Sequence, residues 1–128
     1  MDMKNTVVLI SLGGTIASLP SSSGRAVAGA LSGKELMDSL KIESDGPVEV
    51  IPLCQKPSNA ITIDDLLQLR TLCLELAQRT DVVGLVVSQG TDSLEDTAYF
   101  LDSTLELLGT ALVVAGAQRV PYAAGSDA

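Results

Sequence analysis

The sequence predicts an α/β domain, an open and doubly wound parallel sheet of the flavodoxin or Rossmann kind with helices on both faces. Three observations carry this prediction. Four aliphatic and β-branched runs lack two-residue alternation, which is the pattern of strands covered on both sides. Segments with helical spacing lie between them, so strand and helix alternate along the chain. Aromatic residues make up only 2% of the sequence, so the core must be built from Leu, Val, Ile and Ala.

The first strand is expected over Thr6 to Leu12 and gives way to Gly13-Gly14-Thr15. Its apolar stretch could pass for a signal-peptide core, but it is short, broken by two glycines and followed by no small-residue cleavage site. Ser18 to Gly33, with Ser21-Ser22-Ser23-Gly24 inside it, is too long and too poor in core residues for a simple connection. It is expected to be a mobile loop. Ser32-Gly33-Lys34-Glu35 has a capping-box pattern and opens a helix that runs through Leu40. The second strand spans Val48 to Leu53, and a Pro-containing loop with Ser58 and Asn59 follows it.

Thr62, with Asp64 and Asp65 in the first turn, opens a long helix in which Leu66, Leu69, Leu72, Cys73 and Leu76 recur at helical spacing. The third strand is Val82 to Ser88. After Gly90-Thr91-Asp92, Ser93 with Glu95 and Asp96 opens another helix, whose expected apolar stripe is Leu94, Ala98, Leu101, Leu105 and Leu108. The fourth strand is Ala111 to Gly116, and Ala117-Gln118-Arg119 leaves it.

At 128 residues, 46% hydrophobic and 19% charged, the chain has the length of one domain and the composition of a folded one. Eight basic residues against sixteen acidic ones give a net charge of −8, the wrong sign for a phosphate backbone. No segment has the length of a membrane span. A cytoplasmic protein with neither nucleic-acid nor membrane partners is therefore expected. The two cysteines, Cys54 and Cys73, lack metal-ligand spacing and have no His beside them, so they are expected to be buried free thiols. No metal and no cofactor are expected: the glycines do not form GxGxxG, and no Gly-Lys-Ser/Thr of a phosphate-binding loop follows them.

Absence of His also removes Ser-His-Asp and Cys-His mechanisms and leaves threonine as the nucleophile to consider. Gly13 and Gly14 allow a tight turn that brings peptide N–H groups near a bound group, with the Thr15 hydroxyl in the same turn. Gly90-Thr91-Asp92 stands between a buried strand and a helix N-terminus, where free N–H groups favour a carboxylate or an oxyanion. Each element has a plainer explanation: a Gly-Gly turn, a helix cap at Asp92 or Ser93, ordinary loop chemistry at Ser58 and Asn59, a surface Arg119. What sets them apart is that a parallel sheet brings all these loop starts to one edge.

The stretch Ile10-Ser-Leu-Gly-Gly-Thr-Ile-Ala17 resembles the first signature of the bacterial-type L-asparaginases. Ser88-Gln-Gly-Thr-Asp-Ser-Leu-Glu-Asp-Thr-Ala-Tyr-Phe-Leu-Asp102 resembles their second, which is long and specific. Ser58-Asn59 looks like the family's Ser-Gln pair, and Gly116 to Arg119 looks like the segment after its fourth strand.

The resemblance implies a homo-oligomeric amidohydrolase, a dimer or tetramer, that converts L-asparagine, with L-glutamine as a side activity, to the acid and ammonia. Thr15 would be the nucleophile and Thr91 with Asp92 the second catalytic group. Gly14, Ser58, Asn59, Gly90 and the carbonyl of Ala117 would hold the substrate. Three departures accompany it. Family members carry a Tyr in the loop after the first threonine, and Ser18 to Gly33 has none. The family's Lys follows a motif that Ser126-Asp127 begins. Relatives also carry a second, smaller α/β domain, so residues 1–128 are expected to form the amino-terminal domain of such a protein. The alternative is a domain of the same fold that binds a small amino acid without hydrolysing an amide.

Overall fold

A computed structural model describes residues 5–13, 19–20, 26–27, 38, 46–117 and 124–125. Its main sheet has four parallel strands in the order β4-β1-β5-β6, where β1 is Thr6–Ser11, β4 Val48–Pro52, β5 Val82–Ser88 and β6 Ala111–Ala115. The helices that connect them are α1, Ile63–Ala77, and α2, Leu94–Thr104. Strand positions match expectation, with β1, β4 and β6 each ending one residue earlier than the apolar run. Hydrogen bonding continues past those ends: Leu12 N–H donates to the Ser88 carbonyl at 2.8 Å, and Leu53 N–H to that of Ser11 at 2.9 Å.

Successive strand residues face opposite sides of a sheet, so register decides which ones share a core. Val8 pairs with Leu85 and Ile10 with Val87, which puts all four on one face. Leu69, Cys73 and Leu76 of α1 and Leu101 of α2 join them there in one buried cluster. Leu9, one step out of phase in β1, is only 6% exposed, so the other face is covered at that point too. Burial pushes the Cys73 thiol up to about 11 and also raises that of Cys54. Both cysteines are free, as expected, but Cys54 is half-buried and donates to the Leu12 carbonyl at 3.6 Å.

α1 begins where expected, and the cap is complete in both directions. Thr62 Oγ1 accepts from Asp65 N–H at 3.1 Å, and Asp65 Oδ2 accepts from Thr62 N–H at 2.9 Å. Lys56 Nζ donates to the same Oδ2 at 2.7 Å, and this bond holds the Asp65 carboxyl below its ordinary range.

Three expectations change. The Ser18 to Gly33 segment, expected to be a mobile loop, contains an antiparallel pair, β2 (Leu19–Pro20) with β3 (Ala26–Val27). Two-residue strands carry no periodicity that a sequence could display. In α2, Leu105 has extended backbone at the C-cap yet still packs against the core, and Leu108, an expected stripe residue, is 84% exposed. Thr97, polar and passed over, is buried in this helix. Ser93 stands at the N-cap of α2 without a side-chain capping bond. Of the helix expected over Ser32 to Leu40, only Asp38 is described, and it is helical and exposed.

At the amino edge Arg79 ties two strands together. It donates to both carboxylate oxygens of Asp81 at 3.1 and 2.8 Å and to Glu49 of β4 at 2.8 Å. The Asp81 carbonyl in turn accepts from Asn5 and Thr6 N–H at 3.1 and 3.0 Å, which fixes the start of β1. Among the described residues no helix is long and apolar enough to cross a membrane.

Replacing Thr62 by Ala removes a side-chain cap and should lower unfolding free energy by about 1 kcal/mol, read by urea denaturation. Hydrogen bonds from Arg79 and Lys56 hold the Asp81 and Asp65 carboxyls below their unfolded values. The unfolded chain therefore binds more protons as pH drops, and this stabilisation is complete above about pH 4 and lost as pH falls through the folded-state values. Urea midpoints measured along an acid series should show that loss, and Arg79→Met should make it shallower.

Candidate active site

The order of the strands locates the site. From β1 the chain moves outward to β4, then passes back across β1 to β5 and on to β6, so the direction of winding reverses between β1 and β5. Loops leaving the carboxyl ends of two such strands diverge and open a crevice, the usual ligand position in sheets of this kind. β1 and β5 both end in serine there. Ser11 and Ser88 are register partners and are buried. Just beyond Ser11, Gly13 has φ 97°, a left-handed backbone that a side chain would strain, and it turns the chain off the strand. Gly14 and Thr15, and likewise Gln118 and Arg119, lie outside the described residues.

Gly90 is glycine for a reason of space. A Cβ there would stand 2.9 Å from Ser58 Oγ, 3.1 Å from Ser58 Cβ and 3.2 Å from Ser58 N. Because that Cβ is missing, the 3-10 turn Ser58–Ala60 closes onto the 3-10 turn Thr91–Ser93. Ser58 is thereby buried, 4% exposed, and Asn59 is exposed. Gly116 plays the matching part from β6. Its absent Cβ would lie 2.7 Å from the Gln89 carbonyl and 3.2 Å from Thr91 Cγ2. The methyl of Thr91 thus takes the packing contact with Gly116. Ala117 follows in a buried position, and Asp92 is exposed.

Ser58, Gly90, Thr91 and Gly116 therefore come together from three loops, with Asn59, Asp92 and Ala117 beside them in the chain. Neither Asp92 nor Ser93 supplies a side-chain cap to the turn or to the helix, so the plain capping explanation does not account for the Gly-Thr-Asp run.

One residue was missed from sequence. Gln89 is fully buried directly under this cluster, donating from Nε2 to the Gly90 carbonyl at 3.1 Å and to Ser93 Oγ at 3.3 Å. Ser93 Oγ donates onward to the Ser58 carbonyl at 3.0 Å. The available signal was a polar amide following an unbroken apolar strand.

A cavity of about 370 Å³ lies elsewhere, between α2 and β6, lined by Leu101, Leu105, Leu107 and Leu112 among others. Its lining takes Ala98, Leu101 and Asp102 from the helical part of the second motif but none of the residues at the strand ends, and its walls are mainly aliphatic. The convergence of polar side chains at the strand ends outweighs its size in locating the chemistry. Among the described residues no group of three or more His, Cys, Asp or Glu is placed to hold a metal ion.

Comparison with known proteins gives the family. Residues 6–128 match the family model described as asparaginase, N-terminal. An L-asparaginase of Bacillus licheniformis is 45% identical over 126 residues, 98% of this chain and 39% of that protein. A glutaminase-asparaginase of Pseudomonas fluorescens biotype A is 33% identical over 125 residues, covering 94% of this chain and 34% of the relative. The chain thus spans less than two fifths of the length of these relatives. Among solved structures, the thermostable L-asparaginase from Thermococcus kodakarensis superposes with a TM-score of 0.82 at 23% identity, over 95% of this chain and 37% of that one. That likeness establishes the shared α/β fold. With the family model matched from β1 to the last residue, the chain belongs to the asparaginase family and corresponds to its N-terminal domain.

Proposed function

We propose that this domain carries the nucleophile and the substrate-binding loops of an amidohydrolase that converts L-asparagine to L-aspartate and ammonia. The observation that carries the proposal is the meeting of Ser58, Gly90 and Thr91 at the reversal point of the sheet, beside the Gly13 turn that leads to Thr15. Relatives named L-asparaginase and glutaminase-asparaginase support the substrate class. One methylene separates the two amides, a difference worth only about 1–3 kcal/mol in a pocket. Glutamine turnover as a side activity belongs to the same proposal.

In this mechanism the Thr15 hydroxyl attacks the side-chain amide carbon while its proton passes to a base in the Thr91 and Asp92 group. The tetrahedral oxyanion is met by backbone N–H groups of the glycine turn that includes Gly14. The base returns the hydroxyl proton to the amide nitrogen, and collapse breaks the C–N bond, expels ammonia and leaves an ester on Thr15. Water then cleaves that ester, releases aspartate and restores the hydroxyl. Asp92, an exposed carboxylate at the crevice edge, suits the substrate's α-ammonium. Ser58 and Asn59 suit its α-carboxylate and α-amino ends, and the carbonyl of Ala117 faces the scissile amide. No step calls for a cofactor.

The same reading carries a cytoplasmic homo-oligomer, which size-exclusion chromatography with light scattering tests directly; a monomer at working concentration would remove that part. One observation favours binding without turnover: no Tyr occurs between Ser18 and Gly33 to assist Thr15. Ammonia release from asparagine distinguishes the two.

Thr15→Ala should lower that release more than about a thousandfold, as loss of a nucleophile does, while aspartate still raises the melting temperature. Full release in the variant would remove Thr15 from its role. Gly90→Ala should displace Ser58 and lower kcat/KM by 10- to 100-fold, the order expected when a contact moves by about 1 Å. Unchanged kinetics in that variant would show that the Ser58 turn does not contact substrate.

A further inference from the structure

We infer that Gln89 and Ser93 are positioning residues, forming a directional hydrogen-bond relay that holds the Ser58 turn at a fixed distance from Thr91 and Asp92. The inference rests on the amidohydrolase reading for its link to substrate, and on geometry alone for the relay. The Gln89 side chain is 0% exposed, and only one orientation of its amide works. An oxygen placed 3.1 Å from the Gly90 carbonyl would set acceptor against acceptor, so the nitrogen must face it. That nitrogen's second proton reaches Ser93 Oγ at 3.3 Å. With its acceptor side used, Ser93 directs its own proton to the Ser58 carbonyl at 3.0 Å.

The two ends are anchored differently. Gln89 belongs to the sheet: its N–H donates to the Ala115 carbonyl at 3.1 Å, and its carbonyl packs against Gly116. The Ser58 turn is held by local bonds, Ala60 N–H to the Pro57 carbonyl at 2.9 Å and Ile61 N–H to the Ser58 carbonyl at 3.2 Å. It leaves the outer strand β4 and is tied on its way by Lys56 N–H to the Leu12 carbonyl at 3.0 Å and afterwards by Ile61 against the core. It meets the Gly90 loop through the van der Waals contact with Gly90 and the bond from Ser93. The contact limits how closely the turn approaches. The relay limits how far it departs. Together they fix the gap into which an α-amino acid would insert its carboxylate.

Ser93→Ala breaks the relay, and Ser93→Thr, which keeps the hydroxyl, serves as the rescue. Two measurements on the chain decide. Amide hydrogen exchange at Ala60 and Ile61 should quicken about tenfold in Ser93→Ala, as expected for loss of one buried hydrogen bond, with Val8 to Ile10 unchanged and Ser93→Thr near the parent. Aspartate affinity by calorimetry should weaken about tenfold in Ser93→Ala and recover in Ser93→Thr. Unaltered exchange at Ala60 and Ile61 would overturn the relay. Faster exchange with unaltered affinity would overturn the positioning role and leave the asparaginase reading standing. A parent chain that does not bind aspartate, with exchange responding as expected, would overturn the link to substrate through the functional reading itself and not through the relay.

Discussion

Parallel pairing between β1 and β5 is the constraint on which the rest of this domain depends. It keeps two strands side by side that are far apart in sequence, up to the bond from Leu12 N–H to the Ser88 carbonyl. Beyond that bond the chain ends must separate, because β1 connects outward to β4 and β5 onward to β6. Divergence there is a property of the topology. Residues that follow Ser11 and Ser88 leave the sheet at this crevice, and those described are Gly13 and the Gly90-Thr91-Asp92 run.

The two edges of the sheet are built by different physics. At the amino edge, half-exposed charges link strand starts, with Arg79 shared between Glu49 and Asp81. Such pairs in contact with solvent add modest stability and are weakened by salt. At the carboxyl edge one ion pair is described, Lys56 with Asp65, which ties the chain after β4 to the first turn of α1. The loops there are otherwise held by backbone hydrogen bonds, by buried neutral dipoles and by the absence of two Cβ atoms. Neutral dipoles do not titrate near neutral pH, so these loop contacts do not depend on a charge state there.

Close approach is the recurring device. At Gly90 and Gly116 the backbone itself is the surface against which Ser58, Gln89 and Thr91 pack, and the short distances leave no room for a methyl group. Gly13 serves another purpose, a left-handed turn. Conformational freedom at one glycine and steric vacancy at two others thus produce one site from three loops.

Sequence alone determined the four strands of the main sheet, both described helices with the Thr62 cap, the parallel class of that sheet and the family. Each is encoded locally, in apolar run length, in helical spacing and in side chains that meet their own backbone within four residues. It also marked Ser58, Thr91 and Asp92 as belonging to one edge. Only the tertiary structure decided that Gln89 is buried beneath Gly90 and Ser93, that Ser93 bonds to a distant carbonyl instead of capping its helix, that Leu108 falls outside the apolar stripe of α2, and why residue 90 is glycine. Those facts depend on which loop approaches which strand end. Contacts between Ser58 and Gly90 or Ser93 join residues more than thirty positions apart, and nothing in the local pattern around either partner specifies the other.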